Sequence, residues 1–527
     1  MNEKHTVLEG EGTRYPERVE ICQAFVPGGN ELIRPRMDSL DAKGKPHFRY
    51  KLPISARQKL FARLRRFLAN RRAPSEVPQV SLMDPFYQIK PEWNTIITYL
   101  YEKGALQFPR ITFDPIYNDD PKLYQLRLWA APSQTDGRPE LTSGGYSRGV
   151  SLDIDEAVSK VIGEFLERYP LTVYRRGNFV RASINSLQKR GIHFLNPEFA
   201  DHSSAWQKEK FPRRRFNRDT IFSFSQGESL TRGTKALIPA QMIYIGYLFP
   251  EGEPVIGERN TNGAGGMFTR EEAILAGLYE LIQRDAFLQF WLKRQTPPRF
   301  DLSKVTNEAL RGSLEMCKRY NLEVTLLDVT SDISIPSVIA VILDRTGRGP
   351  AVSLGGGCGP NQEKAMNRAI TEAIGVRSWL RHHREGISEP LPKFEDGEPF
   401  EEEWGPQKRL LLWYSPEAIE AIDFFISGTV VSIEHSKDKS FATPKKELQH
   451  ALSLFADRGP DFEVFVQDLK HPLLTDLGYH AVKVFVPALL YLYMREINAP
   501  LGAKRIKPFS YKEGGDFEIH GIPHPFP

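Results

Sequence analysis

Cysteine is scarce in this 527-residue chain: Cys22, Cys317 and Cys358 stand far apart and form no CxxC pair. That excludes a disulfide scaffold and a cysteine-based zinc site, and it suits a reducing cytosol. No apolar run reaches the roughly eighteen residues of a membrane-spanning helix. The first residues, MNEKHTVLEGEGTRYPER, lack the apolar core of a signal peptide. A cytoplasmic protein with no membrane contact is therefore expected. Charge of one sign is also lacking. The net charge of +4, with 40% hydrophobic and 26% charged residues, is ordinary for a globular protein and gives no argument for nucleic acid. There is no G-x-x-x-x-G-K-[ST] loop, no G-x-G-x-x-G after a strand, and no repeat of solenoid length.

The length favours two domains, or one large domain with an appendage. Residues 1 to 107 read as a small N-terminal extension and 108 to 527 as the main domain. Within the extension, RQKLFARLRRFLANRR (57–72) has an apolar helical face and seven basic residues, which suits a surface helix or a docking helix for an acidic partner. WNTIITYLYEKGAL (93–106) reads as a helix stopped by Gly104. Strands are expected in RITFDP, YQLRLWAA, ALIPAQMIYIGYLF, EVTLLDVT and IPSVIAVILD. KEKFPRRRFNRD (208–219) reads as a solvated basic loop, and the acidic, Pro/Gly-rich tract 385–408 as a surface excursion.

Three helical stretches carry chemistry beside their apolar stripes. In DEAVSKVIGEFLERYP, Glu164, Glu167 and Arg168 lie at one-turn spacing at the stripe's edge. GLYELIQRDAFLQFW repeats the unit as Glu280, Gln283 and Arg284, after ERNTNGAGGMFTREEA, in which Thr269 and Glu272 form a capping box. GGGCGPNQEKAMNRAITEAIGVR carries Arg368 and Glu372 one turn apart. Each helix follows a Gly-rich segment, read as a loop whose glycines let backbone approach a ligand closely. Singly, each pair is most simply a solvated helix ion pair worth a few tenths of a kcal/mol. Together they match what a magnesium–triphosphate needs: hard oxygen ligands and cationic forks.

These residues give the sequence its resemblance to the YcaO family. The matching features are the G-E-x-x-E-R run from Gly163 to Arg168, TNGAGG…TREEAI…GLYELIQRDA, and the Gly-rich segment followed by Arg368 and Glu372. The resemblance implies an α+β fold of YcaO type, with mixed β-sheets and flanking helices that carry metal-binding carboxylates. It implies ATP and Mg2+ as cofactors, with Glu164, Glu167, Glu280, Gln283 and Glu372 toward magnesium and Arg284 and Arg368 toward the phosphates. Glu272 would be a nucleotide contact as well as a cap. Gln283 stands where the family usually has a second glutamate, and Phe268 where many members have asparagine. The amide keeps a carbonyl for a cation but loses one negative charge.

The last residues, GIPHPFP, form a P-x-P-x-P pattern ending in Pro527. This is similar to the azoline-forming branch of the family, whose tail lies in the catalytic centre; a frayed polyproline tail is the simpler reading. The branch implies cyclodehydration of Cys, Ser or Thr in a ribosomally made precursor peptide. It also implies an E1-like (ThiF-like) leader-binding partner in trans, often a flavin-dependent dehydrogenase, and a homodimer core. Peptide backbone thioamidation and a non-catalytic scaffold are the alternatives.

Overall fold

A computed structural model describes residues 90–131, 145–394, 405–506 and 520–526, with strand segments at 134–135 and 138–139. The basic stretch 57–72, residues 395–404 of the acidic tract, and Pro527 lie outside the described residues.

Among the described residues, three sheets of three or more strands organise the fold, beside a two-stranded ribbon at 134–135 and 138–139. The first is antiparallel, in the order β1 (Thr112–Phe113), β2 (Tyr124–Trp129), β3 (Tyr146–Ser151). The second runs β4 (Val180–Ser183), β5 (Ile221–Ser229), β13 (Phe465–Leu469), β14 (His480–Phe485), β7 (Ala264–Met267), with β6 (Thr234–Pro239) also paired to β5. The third runs β11 (Val352–Cys358), β10 (Ser337–Asp344), β9 (Leu322–Asp328), β8 (Arg299–Phe300), β12 (Val430–Val431), antiparallel except at β8–β12. The helices used below are α1 (Pro91–Glu102), α2 (Ile154–Arg168), α3 (Arg270–Leu292), α4 (Glu308–Arg319), α5 (Gln362–Glu385) and α6 (Pro406–Leu412).

Periodicity decides most of these elements. The stripe expected for α2 is the one buried: Ala157, Val158, Val161, Ile162, Phe165 and Leu166. Asp153 caps it by accepting from Glu156 N at 2.9 Å. β10 is buried at every position, which a strand needs when both faces are covered. Its Ile339, Val341 and Leu343 pack with Phe287 and Trp291 of α3, while Val338, Ala340 and Ile342 pack with Ala369, Ile370 and Ala373 of α5. Each such aliphatic side chain contributes about 1.5–3 kcal/mol by leaving water. α1 falls inside the expected extension 1–107, and its Trp93, Ile96 and Leu100 join the core of α2 and the first sheet. Gly104 follows that helix with φ +70°, so the stop signal acts as expected.

Three expectations change. ALIPAQMIYIGYLF is not one strand: β6 ends at Pro239, and a short helix, Ala240–Ile243, follows. The basic loop is not wholly solvated, because Arg214 is buried and donates to Ser203 Oγ at 3.1 Å and to Asn498. The described residues of the Gly-rich segments before α2, α3 and α5 form mainly the strands β3, β7 and β11, with Gly263 in the loop that enters β7. At least one glycine of each faces protein backbone. A Cβ on Gly149 would collide with Ala157 O and lie 2.6 Å from Val161 N. One on Gly265 would collide with Ala273 O and lie 2.8 Å from Gly277 N, and one on Gly357 with Ala365 O and 3.1 Å from Ala369 N. The spacing is the same in all three, and three residues further along each helix stand Glu164, Glu280 and Glu372. The fold therefore contains three copies of a strand–helix unit in which glycine lets the helix axis settle directly on the strand.

Gly357→Ala should cost about 3 kcal/mol or more, because both colliding partners are backbone and neither can rotate away. Gly312→Ala, in α4 with nothing within 4 Å of the new Cβ, should gain about 0.8–1 kcal/mol from helix propensity. Thermal melts of both variants check the pair of signs; a tolerated Gly357→Ala would contradict the close contact.

Candidate functional site

The three units open on one cleft of about 1480 Å³, larger than the usual 300–1,000 Å³ of a small-molecule site. Glu164, Glu167 and Arg168 of α2, Arg284 of α3, and Arg368 and Glu372 of α5 line it. Each unit treats its central glutamate alike. Arg148 N donates to Glu164 Oε2 at 3.2 Å, Gly263 N to Glu280 Oε2 at 2.7 Å, and Gly356 N to Glu372 Oε2 at 2.6 Å. The carboxylates are thus aimed by strand or loop N–H groups, one from each Gly-rich segment.

The expected arginine pairs divide. Arg168 Nη1 lies 2.8 Å from Glu164 Oε1 and Arg284 Nη2 2.8 Å from Glu280 Oε1, as helical spacing requires. Arg368 and Glu372 instead turn to β11, where Arg368 Nη1 donates to Cys358 O at 3.0 Å. Glu280 stands behind Arg284 rather than on the cleft wall, and its charge reaches Glu167, Glu372 and Lys483. Gln283 is buried over Gly356, where any Cβ would collide with its amide. Thr269 is the cap, its Oγ1 accepting from Glu272 N at 3.3 Å and donating to Glu272 Oε2 at 2.6 Å, so only one half of the expected capping box forms; Glu272 does not line the cleft.

Burial pushes the Glu167 carboxyl up to about 8, with Glu280 and Glu164 adding to the rise and Arg168 opposing it. Glu372 opens on the cleft, yet its enclosure by protein holds it up at about 7, against the Gly356 N–H. Burial pushes the Lys483 amine down to about 7. Carboxylates so placed gain from a neighbouring cation. The N–H side of the site points the other way: Nε of Arg148, Arg168 and Arg284 and Nε2 of Gln283 are buried without a hydrogen-bond partner. Unpaired buried donors are costly, and an anion among them would satisfy several at once. Among the described residues no three His, Cys, Asp or Glu side chains form a ligand group for one ion. Magnesium carried by a nucleotide takes one or two protein carboxylates beside the phosphate oxygens, and Glu164, Glu167 and Glu372 line the cleft. The residues fit a magnesium–triphosphate.

The tail reaches the same cleft. Trp291 Nε1 donates to Ile522 O at 3.1 Å and Trp413 Nε1 to Pro523 O at 3.0 Å. Arg409 of α6, fully buried, donates to Tyr493 O at 2.6 Å and to Phe526 O at 3.1 Å, and lies 3.1 Å from His524 Nε2. Phe526 is buried and borders the cleft. Pro527, the expected catalytic end, lies outside the described residues.

Several residues at the site were not singled out from sequence. Asn262, whose Oδ1 accepts from Arg284 Nη1, stands beside glycines that carry the stronger sequence signal. Lys483 is signalled by a lone lysine in the apolar run HAVKVFVPALLYLY. Arg148 and Arg409 carry no local signal.

Carboxylates on three glycine-seated helices, with arginines beside them, make a cleft suited to a metal-bound anion. A family profile described as YcaO cyclodehydratase, ATP- and Mg2+-binding, matches residues 148–490. The chain belongs to the YcaO family. It is 31% identical over 267 residues to an uncharacterised protein of Methanothermobacter thermautotrophicus, covering 50% of this chain and 64% of that relative. Among solved structures it is similar to a heterocyclase in complex with substrate and cofactor (TM-score 0.59, 20% identity, 77% of this chain and 53% of that one). It is also similar to YcaO from Methanopyrus kandleri bound with AMPPCP and Mg2+ (TM-score 0.54, 19% identity, 77% and 93%). At these identities the structural likeness speaks for the fold. The chain spans less than two thirds of the length of the curated relative, and about half of the heterocyclase. Among the described residues no helix is long and apolar enough to cross a membrane.

The raised Glu167 carboxyl has a stability consequence. Its pKa in the folded chain, about 8, exceeds the ordinary 4.5, so the folded state holds the proton longer than the unfolded chain does. Its contribution is fully present below pH 4.5 and is lost as pH rises toward 8. Glu167→Gln removes that loss. In metal-free buffer its melting temperature relative to the native chain should climb between pH 5 and 8; a flat difference would place Glu167 in a water-like environment.

Proposed function

We propose that the chain is an ATP-dependent peptide cyclodehydratase that forms thiazoline or oxazoline rings from Cys, Ser or Thr of a ribosomally made precursor. The observation that carries the reading is the tail: Ile522 to Phe526, which include the described part of the P-x-P-x-P pattern that resembles the azoline-forming branch, are held by Arg409, Trp291 and Trp413 with Phe526 against the cleft. A cleft larger than one nucleotide needs leaves room for a peptide beside it.

The substrate side chain adds to the preceding amide carbonyl, giving a tetrahedral hemiorthoamide. Its hydroxyl oxygen takes the γ-phosphoryl group of ATP, releasing ADP and the hydroxyl proton; the C–O bond then breaks, phosphate leaves, and loss of the nitrogen proton closes the C=N bond of the ring. The amide oxygen, a poor leaving group, departs as phosphate. Glu164, Glu167 and Glu372 of the cleft wall would hold magnesium, Glu280 behind Arg284 would add its charge, and Arg284 and Arg368 would meet the phosphates. Bound magnesium neutralises charge on the transferring group. Asn262 and Glu280 fix the Arg284 guanidinium, so it need not reorganise as charge develops. The tail shapes the wall where the reacting amide lies, and Pro527 follows directly on Phe526. A leader-binding partner, and a flavin-dependent dehydrogenase acting later, belong to the same proposal.

Glu164→Ala and Glu280→Ala should abolish ATP consumption in the presence of precursor peptide. Phe526→Ala and Arg409→Met should lower ring formation about 100-fold, the scale of a misplaced reacting group, while nucleotide binding stays native. Intact-mass analysis of the peptide reads the outcome as one water lost per ring. A sulfide-dependent gain of sulfur for oxygen would establish thioamidation instead, and peptide binding with no ATP consumed a scaffold.

A further inference from the structure

Lys483 interrupts the apolar run of β14 and is 2% exposed. Its register partners are Ala264 on β7 and Gln467 on β13. Nζ donates to two backbone carbonyls, Ile243 O at 3.4 Å and Asn260 O, and the lysine forms no ion pair among the described residues. Taking an ammonium group out of water is costly, and two neutral carbonyl acceptors offset only part of that cost. A methionine of similar length would fill the space without the cost. Packing alone does not account for a lysine here.

What the amine holds does account for it. Asn260 belongs to the loop that enters β7 through Gly263. Asn260 Nδ2 and Asn262 Nδ2 both donate to Leu492 O, at 3.1 and 2.7 Å, and Asn262 N donates to Asn260 Oδ1 at 3.1 Å. Asn262 Oδ1 then accepts from Arg284, and Gly263 N donates to Glu280. Gly263 has φ +75°, and a Cβ there would collide with Val484 O beside Lys483, so the loop lies hard against β14 at this point. The chain of contacts runs from a buried amine, through one carbonyl, to the two residues of α3 that the nucleotide site uses.

We infer that Lys483 is a positioning residue of the nucleotide site: it ties the 258–263 loop to β14 so that Asn262 and Gly263 hold Arg284 and Glu280 in place. The inference rests on the reading of the cleft as a magnesium–nucleotide site. A lysine kept for stability and one kept for the site predict opposite results on replacement.

The test uses the full chain and Lys483→Met, with calorimetric titration of the non-hydrolysable ATP analogue AMPPNP plus Mg2+, and a thermal melt of each protein. The melting temperature should stay level or rise, as it does when a buried charge gives way to an apolar group of its own size. The dissociation constant for Mg–AMPPNP should weaken by roughly 10- to 100-fold, the usual scale for a residue that orients ligand-binding groups. Lys483→Gln, which keeps an N–H donor on a shorter arm, should fall between. A folded Lys483→Met with native affinity overturns the inference. So does a large loss of melting temperature in Lys483→Met together with native affinity in Lys483→Gln, since the lysine would then be structural. If the native chain binds no Mg–AMPPNP, the nucleotide reading of the cleft falls and takes this inference with it, a result visible before any variant is measured.

Discussion

In three places a strand glycine lies against the backbone of the helix that follows it, at Gly149, Gly265 and Gly357. With no side chain between them, helix and strand approach as closely as their main chains allow, and the helix has one seat rather than several. The rest of the structure depends on this contact. It sets the height and rotation of α2, α3 and α5, and so the places of Glu164, Glu280 and Glu372, each of which takes an N–H from a Gly-rich segment. A side chain at any of the three glycines would lift a helix and carry its carboxylate out of line with the other two.

Charge then explains what such accuracy serves. Carboxylates brought this near one another repel, and burial raises Glu167 and Glu372 further. Arginines one turn away answer part of the charge on α2 and α3 but leave their own Nε groups without partners. A site short of cations at its carboxylates and short of acceptors at its donors fits a ligand that carries both, as a metal-bound polyphosphate does. The third unit departs from the other two: Gly375 and Val376 stand where they carry a second acid or amide and an arginine, and Arg148 of the first unit reaches across to Gly375 O at 3.3 Å. The units are therefore not interchangeable, and one side of the cleft is more cationic than helix spacing alone would make it.

Much of this was legible in the sequence. Apolar periodicity located α2, α3 and α5 because their buried faces are continuous, and one-turn spacing found the Glu164–Arg168 and Glu280–Arg284 pairs because such neighbours meet within a single helix. The glycines were seen but misread: a run such as GGGC looks like a ligand loop when the helix that covers it is not in view. Whether a glycine faces ligand or backbone is a tertiary fact. The same holds for Arg368 and Glu372, which spacing would pair and which β11 separates. Arg409 follows an acidic tract and looks like a surface arginine, yet it is fully buried because the tail and Tyr493 fold over it.

In the proposed reading, three glycine-seated helices converge on one metal-bound triphosphate. Crystals grown with AMPPNP and Mn2+, measured at the manganese absorption edge, test it most directly. Anomalous peaks should fall in the cleft between the Glu164–Glu167 side and the Glu280–Glu372 side, with the triphosphate between Arg284 and Arg368. Nucleotide and manganese bound elsewhere on the chain, or nucleotide in the cleft with no manganese near these carboxylates, would contradict it.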